Sequence, residues 1–335
     1  MMKSRRADIF AFALVLFSAG LWGMGAAPAR AQEAAAATAP ANADDAAWRQ
    51  QLAAWRAQRA SEVSSADGWL TLVGLEWLKP GFNSFGAAKD NQIQVRAQAP
   101  DHIGLLTVSG SSRSGKPAQA GPILQLLAPA GGFPPELTID GAPAREGQLT
   151  VNNAKPSIIA WRGVTLAVLA RGDRFTLRIK DADAPTRAGF HGLNWYAPDP
   201  RFRLTARWIP FNPPRIEKIP TGLGSTLDLP TPGIAEFTLD GQTLRLAPVM
   251  EDREGKTLFF ILRDATSQST TYSAARFLHT GLPDHGLDQP GTLTLDFNRL
   301  ENPACAYTLY ATCPLPPELN RLPAALEAGE QRYAH

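Results

Sequence analysis

Residues 234–246 read Ile-Ala-Glu-Phe-Thr-Leu-Asp-Gly-Gln-Thr-Leu-Arg-Leu, and this run decides the fold class. Asp240-Gly241 suits a two-residue primed turn, whose central positions need positive φ, so the two flanking runs read as an antiparallel hairpin. Leu258–Leu262 follows as a buried strand. Upstream, Phe202, Leu204, Ala206 and Trp208 alternate with Arg201, Arg203, Thr205 and Arg207, which predicts a half-buried strand with a basic outer face. That face reads as solvated, with an anion-binding wall as the alternative. Arg174–Ile179 alternates in the same way. Further strand-like runs stand at 68–75, 105–108, 137–139, 148–151 and 161–169, separated by Gly, Pro, Asn and Asp. Short strands at such spacing suit a sandwich or barrel.

The expected architecture is therefore mainly β: two β-rich sandwich- or barrel-like units with a short N-terminal helix. The first unit spans 67–180 and the second 181–335. Pro185, Gly189, Gly192, Pro198 and Pro200 break the pattern at the junction. Residues 213–233, with Gly222, Gly224 and five prolines, read as a long connection. The helix is expected over 44–63, opened by Asp44 or Asp45 as N-cap. Trp48, Leu52, Trp55 and Arg59 fall on one of its faces, which would dock on the β core.

The N-terminus addresses the compartment. Lys3, Arg5 and Arg6 precede an apolar stretch from Ile9 to Met24, and Ala29-Arg30-Ala31 supplies a small-x-small cleavage site. Residues 1–31 thus read as a secretory signal peptide, and 32–43, Ala-rich with Pro40, as a disordered tether. The expectation is an exported protein, periplasmic or extracellular, with no stable membrane span after cleavage. Ser4–Phe10 loosely resembles a twin-arginine export signal, from which Asp8 departs. The formal charge of the whole chain is +2. The signal holds four basic residues and one acid, so the remainder is near −1. Nothing there argues for a nucleic-acid partner, which needs clustered Lys and Arg.

Leu78–Gly86 followed by Asn91–Val95 resembles the opening of a forkhead-associated domain, a class that binds phosphothreonine. The likeness stops where that class carries an Arg after the glycine, because Ala87 stands here, and where it carries a Ser-x-x-His. A longer likeness lies further on. It is carried by Phe190–Tyr196, Arg203-Leu204, Asp264-Ala265-Thr266, Thr271-Tyr272, Arg276-Phe277-Leu278, Asp296-Phe297-Asn298, Asn302-Pro303, Cys305-Ala306-Tyr307, Cys313–Pro317, Asn320 and Gly329-Glu330. These residues resemble the bacterial domain-of-unknown-function family 1684. The resemblance marks which residues are typical and implies no activity. Its members usually carry glycines where this chain has Gln268 and Ser273-Ala274-Ala275.

Common catalytic signatures are absent: there is no Gly-x-Ser-x-Gly elbow, His-Glu-x-x-His, P-loop or Gly-x-Gly-x-x-Gly. His279, Asp284, His285 and Asp288 match no ligand template and read as a solvated loop, so neither a metal nor a cofactor is expected. Cys305 and Cys313 are expected to form a disulfide in an exported chain, with a reduced pair or a redox pair as alternatives. On residues 292–298, Leu293, Leu295 and Phe297 face one way and Thr292, Thr294, Asp296 and Asn298 the other. A hairpin through 280–291 would bring Arg276 against Asp296, with Tyr272 and Asn298 nearby. Arg276, Asp296, Asn298, Tyr272 and Asp264 are thus the candidate ligand-binding residues, for a small polar ligand. The leading expectation is a secreted small-molecule-binding or accessory envelope protein. One alternative is an envelope hydrolase using Asp296 or Asp264 with Tyr272. The other is a purely structural signature that satisfies backbone groups of the Pro-rich segment.

Overall fold

The computed structural model describes residues 30–109, 123–151, 155–171, 174–222, 224–251 and 255–334, with side chains from residue 44 onward. The expected signal peptide falls almost wholly outside the described residues. The chain divides into two units, Met1–Ala47 and Trp48–His335, and every strand belongs to the second. Helix α1 is Arg30–Ser64. It includes the expected helix and the stretch read as a tether, whose side chains are not described. Within the second unit, Trp48, Leu52, Arg59 and Val63 of α1 are buried, at the helical spacing of one face. Among the described residues no helix is long and apolar enough to cross a membrane.

The first β-rich part is a sandwich. Its smaller sheet is built from β2 (Gly81–Gly86), β3 (Ile93–Gln94), β4 (Gly104–Ser109), β5 (Ile123–Leu127) and β8 (Gly147–Gln148), in the order β3-β2-β4-β5-β8. The larger holds β1 (Leu72–Trp77), β6 (Thr138–Ile139), β7 (Ala142–Pro143), β9 (Ile158–Trp161), β10 (Val164–Arg171) and β11 (Arg174–Asp181), ordered β1-β11-β10-β9-β6-β7. Phe85, Leu106 and Leu126 from one sheet meet Leu166, Leu177 and Ile179 from the other in a single buried cluster. These residues follow the period-two alternation of each strand, and their burial removes one apolar face per sheet from water.

The second part holds β12 (Arg203–Pro220), β13 (Thr226–Leu239), β14 (Gln242–Leu246) and β17 (Gly291–Asp296), ordered β14-β13-β12-β17, beside a two-stranded sheet of β15 (Leu258–Leu262) and β16 (Arg276–Thr280). Trp208, Phe237, Phe260, Leu295 and Phe297 join in its core. The 234–246 hairpin forms as read, with Leu239 opposite Gln242 and positive φ at Asp240 and Gly241. None of the sheets closes into a barrel.

Two expectations are corrected. Residues 213–233 are not an irregular connection: β12 and β13 pair from Arg207–Glu236 out to Pro220–Thr226. The prolines are accommodated because β17 pairs with β12 only from Arg203 to Trp208, so beyond that point one edge of β12 asks for no N–H donors. An irregularity between Pro210 and Arg215 takes up Pro213 and Pro214. In addition, β16 and β17 are not neighbours. β16 pairs with β15 and β17 with β12, so the 280–291 segment crosses between sheets.

Candidate functional site

The signature strand β17 ends at Asp296, whose carboxylate caps the short turn that follows. Its Oδ1 accepts from the Asn298 backbone N–H and from Asn298 Nδ2, each at 3.1 Å. Its Oδ2 accepts from Trp48 Nε1 on α1 at 2.8 Å. Arg299 adds an ion pair at 3.6 Å. Asn298, fully buried, is itself a two-way clamp: Oδ1 accepts from Asp199 N and Nδ2 donates to Asp199 O, both at 2.9 Å. Asp296 and Asn298 thus tie together α1, the start of β12 and the end of β17. This is the use of Asp and Asn in irregular backbone, where side chains replace missing ladder bonds.

Arg276 does not pair with Asp296. The crossing of 280–291 between sheets separates them, and the partner is Asp264. Arg276 lies opposite Leu262 in the β15–β16 register, so Asp264, two residues beyond that pairing, reaches it. Nη1 meets Asp264 Oδ2 at 2.9 Å with both side chains wholly buried. The rest of the guanidinium is turned to the C-terminal segment: Nη1 donates to Leu326 O at 2.9 Å, and Nη2 donates to Ala328 O. Asp264 Oδ1 accepts from the Thr266 backbone at 2.9 Å, the Thr266 hydroxyl at 2.6 Å and Leu326 N at 3.2 Å. A planar, five-donor group suits such multi-point fixation of carbonyls.

A third buried cluster escaped the sequence reading as a site. Glu330 is 1% exposed. It accepts from Asn302 N at 3.0 Å, from Asn302 Nδ2 at 2.9 Å and from the Tyr307 hydroxyl. Arg59 of α1 donates to Asn302 O at 2.7 Å and pairs with Glu301 at 3.3 Å. Burial pushes the carboxyls of Glu330 and Glu301 above their ordinary range, and pushes the Tyr307 hydroxyl well above its own. Gly329 makes the turn that aims Glu330 inward. Its φ is +77°, and a Cβ there would sit 2.6 Å from Leu300 O, so only glycine fits. The Gly-Glu and Asn-Pro pairs of the resemblance were the signal available for this cluster.

Tyr272 stands apart from these clusters. Its hydroxyl donates to Cys305 O at 3.1 Å, and burial raises its pKa. Cys305 and Cys313 are joined by a disulfide. Tyr272, Ala274 and Ala275 line a recess of about 250 Å³ together with Cys305, Thr308 and Cys313. Of the five candidate residues, then, Asp264 and Arg276 come together, Asp296 and Asn298 come together elsewhere, and Tyr272 borders the recess.

Several surface charges are paired locally. On the basic face of β12, Arg207 donates to Glu236 at 2.6 Å, and Arg245 of β14 reaches the same carboxylate at 2.7 Å. Asp284 accepts from Thr292 N at 2.7 Å and Thr292 Oγ1 at 2.8 Å, bonds that lower its pKa and close the 284–292 loop. Among the described residues no group of three His, Cys, Asp or Glu is placed to hold a metal ion.

Residues 188–331 match a family described as "Protein of unknown function (DUF1684)". A search of curated proteins finds no match. Among solved structures, the chain is similar to an uncharacterized protein from gene locus rrnAC0354 of Haloarcula marismortui, determined by solution NMR. Identity is 33%, over 43% of this chain and 78% of that one, with a TM-score of 0.37. The matched span contains Asp264 with Arg276, Asp296 with Asn298, Glu330 with Asn302 and Tyr307, the disulfide and Tyr272, though not Trp48 or Arg59 of α1, and residues 188–331 belong to the DUF1684 family.

Proposed function

We propose that the mature chain is an exported small-molecule-binding accessory protein of the cell envelope, with its ligand in the recess beside Tyr272. One observation carries the reading. The wall formed by residues 272–275 is fixed at both ends by buried polar groups: Thr271 Oγ1 contacts Thr266 Oγ1 at 2.9 Å, and Arg276 is held by Asp264. A wall so held keeps its shape without ligand, which lowers the ordering cost of binding. The recess, about 250 Å³, falls just below the usual range of about 300–1,000 Å³ for drug-sized ligands. It suits a small polar molecule that can bond the Tyr272 hydroxyl and nearby backbone. Ala274 and Ala275 stand where the family resemblance has glycine, and they narrow the space further.

Export is supported by the basic, apolar and Ala-Arg-Ala run of residues 3–31 and by the disulfide, which persists in oxidising compartments. The hydrolase alternative has less support. Both oxygens of Asp264 are occupied by internal partners. Tyr272 has its pKa raised by burial, which makes it a poor base.

Native mass spectrometry on protein isolated from cells that export it tests the proposal, using the wild type and Ala274→Phe. The wild type is expected to begin at Gln32 and to carry a retained small molecule that Ala274→Phe loses at unchanged melting temperature. An N-terminus at Met1 sinks the export claim. A wild type without added mass, or equal retention by the variant, sinks the binding claim.

A further inference from the structure

We propose a second binding site, separate from the recess beside Tyr272, that takes small aromatic ammonium compounds in a cleft of the N-terminal sandwich. The cleft has a volume of about 500 Å³, within the range of about 300–1,000 Å³ for small-molecule sites. One part of its lining is the segment after β5, with Pro129, Phe133 and Pro134. The other is the loop before β4, with Pro100, Asp101 and His102.

The loop that carries Asp101 is held in place. Ala87 N donates to Pro100 O at 2.9 Å, and Ala88 N donates to Asp101 O at 3.1 Å. Asn91 Nδ2 donates to Asp101 O at 2.8 Å and to Ala88 O at 2.9 Å. The approach is so close that a Cβ on Gly86 would sit 2.1 Å from Asp101 O. Glycine at 86 is what lets the loop lie against β2. Proline rings add rigidity, because their φ is fixed by the ring. Together these features make a preformed cleft, which needs little ordering on binding.

Its chemistry selects a cation with an aromatic body. Among the described residues, no Lys or Arg is in the lining and none lies within ion-pair range of Asp101. The His102 ring is engaged at both nitrogens: Nδ1 is 3.4 Å from Asn91 Oδ1, and Nε2 is 3.7 Å from Asp90 Oδ2. Asp90 thus stands beside the imidazole, and among the described residues Asp101 is the carboxylate of the lining with no ion-pair partner. An ammonium is attracted there, while a carboxylate or phosphate meets repulsion with no cation to offset it. Phe133 and the prolines offer flat apolar surface to a ring, and Phe133 can also take a cation on its face. Residues 78–95 resemble the opening of a class that binds phosphothreonine but depart from it at Ala87, and the charge of this cleft argues a ligand of the opposite sign.

The test uses the full mature chain labelled with ¹⁵N-glycine. Gly104, Gly131 and Gly132 line the cleft, and Gly222 lines the recess beside Tyr272, so the two sites report separately. Phenethylammonium is titrated to about 10 mM, a range that captures dissociation constants up to the millimolar. Phenylacetate and phosphothreonine serve as matched anions. The expected result is saturable movement of the three cleft glycines with phenethylammonium, Gly222 unmoved, and anion binding at least about tenfold weaker. Asp101→Asn, whose side chain carries none of the bonds that hold the loop, is expected to weaken the ammonium about three- to tenfold with the remaining glycine spectrum unchanged. Equal or stronger response to either anion, no response to phenethylammonium, or no effect of Asp101→Asn overturns the proposal.

Discussion

Replacing Asp264 with Asn removes one charge and almost nothing else. The amide oxygen can still accept from Thr266 N, Thr266 Oγ1 and Leu326 N, the three bonds now made by Oδ1. The amide nitrogen then faces Arg276 Nη1, where Oδ2 now sits at 2.9 Å. Arg276 is left as an uncompensated charge with its side chain wholly buried. Removing one partner of a buried pair costs about 3–5 kcal/mol. With a urea slope of about 3 kcal/mol per M, the unfolding midpoint falls by roughly 1 to 1.7 M. Arg276→Met deletes the charge as well but leaves the carbonyls of Leu326 and Ala328 without their donors, at about 1–3 kcal/mol each. The double variant should then fall short of the summed losses by about 2 kcal/mol, because the new amide no longer faces a guanidinium. Urea melts followed by tryptophan fluorescence, for the two single variants and the double, measure this. A single Asp264→Asn loss under about 0.5 kcal/mol, or strict additivity, would refute the view that this pair pins the C-terminal segment.

Two further outcomes follow from the other clusters. Burial holds the Glu330 carboxyl above the ordinary value of 4.5, so the folded state takes up its proton more readily than the unfolded state. That contribution to stability is full below the ordinary carboxylate range and is lost as pH rises through the raised value. Glu330→Gln should flatten this dependence, so the melting temperature of the wild type should gain on that of the variant upon acidification, and parallel curves would contradict the assignment. Trp48→Phe deletes the Nε1 donor to the buried Asp296 carboxylate, a bond to a charged group worth about 1.5–3 kcal/mol. It should lower stability by that amount and speed proteolysis of α1, and unchanged cleavage would show that the bond to Asp296 does not hold α1 in place.

The parts of the fold that could be read in advance were local. The Asp240-Gly241 turn announces itself because few residue pairs accept positive φ twice in succession. The period-two runs at Arg174–Ile179 and Leu293–Leu295 define their own buried faces. What could not be read was which strand pairs with which. The hairpin assumed through 280–291 set Arg276 against Asp296, whereas the strand after it is drawn to β12, where Leu204 faces Leu295 across the pair. Asp264 then falls to Arg276 through a register that no local pattern encodes. Glu330 and Arg59 are a similar case. They lie far apart in sequence, and each looks like an ordinary surface charge until Tyr307 and Asn302 are folded between them. The family likeness named Asp264, Arg276, Asp296 and Glu330 as typical without distinguishing a residue that binds from one that holds the chain. Only their burial and the inward direction of their bonds separates the two.

The long β12–β13 arm has a consequence for how the protein keeps to itself. Ile216 and Leu227 are exposed on it, and between Ile209 and Ile219 the outer edge of β12 carries no second strand. An apolar edge of that length would ordinarily recruit a strand from another molecule. Here Pro210, Pro213 and Pro214 stand along β12, and a proline lacks the N–H that an incoming strand would need wherever that group would point outward. The prolines that made this stretch look irregular in sequence therefore guard it against fibril-like stacking, most of all while the chain is still folding and its edges are bare.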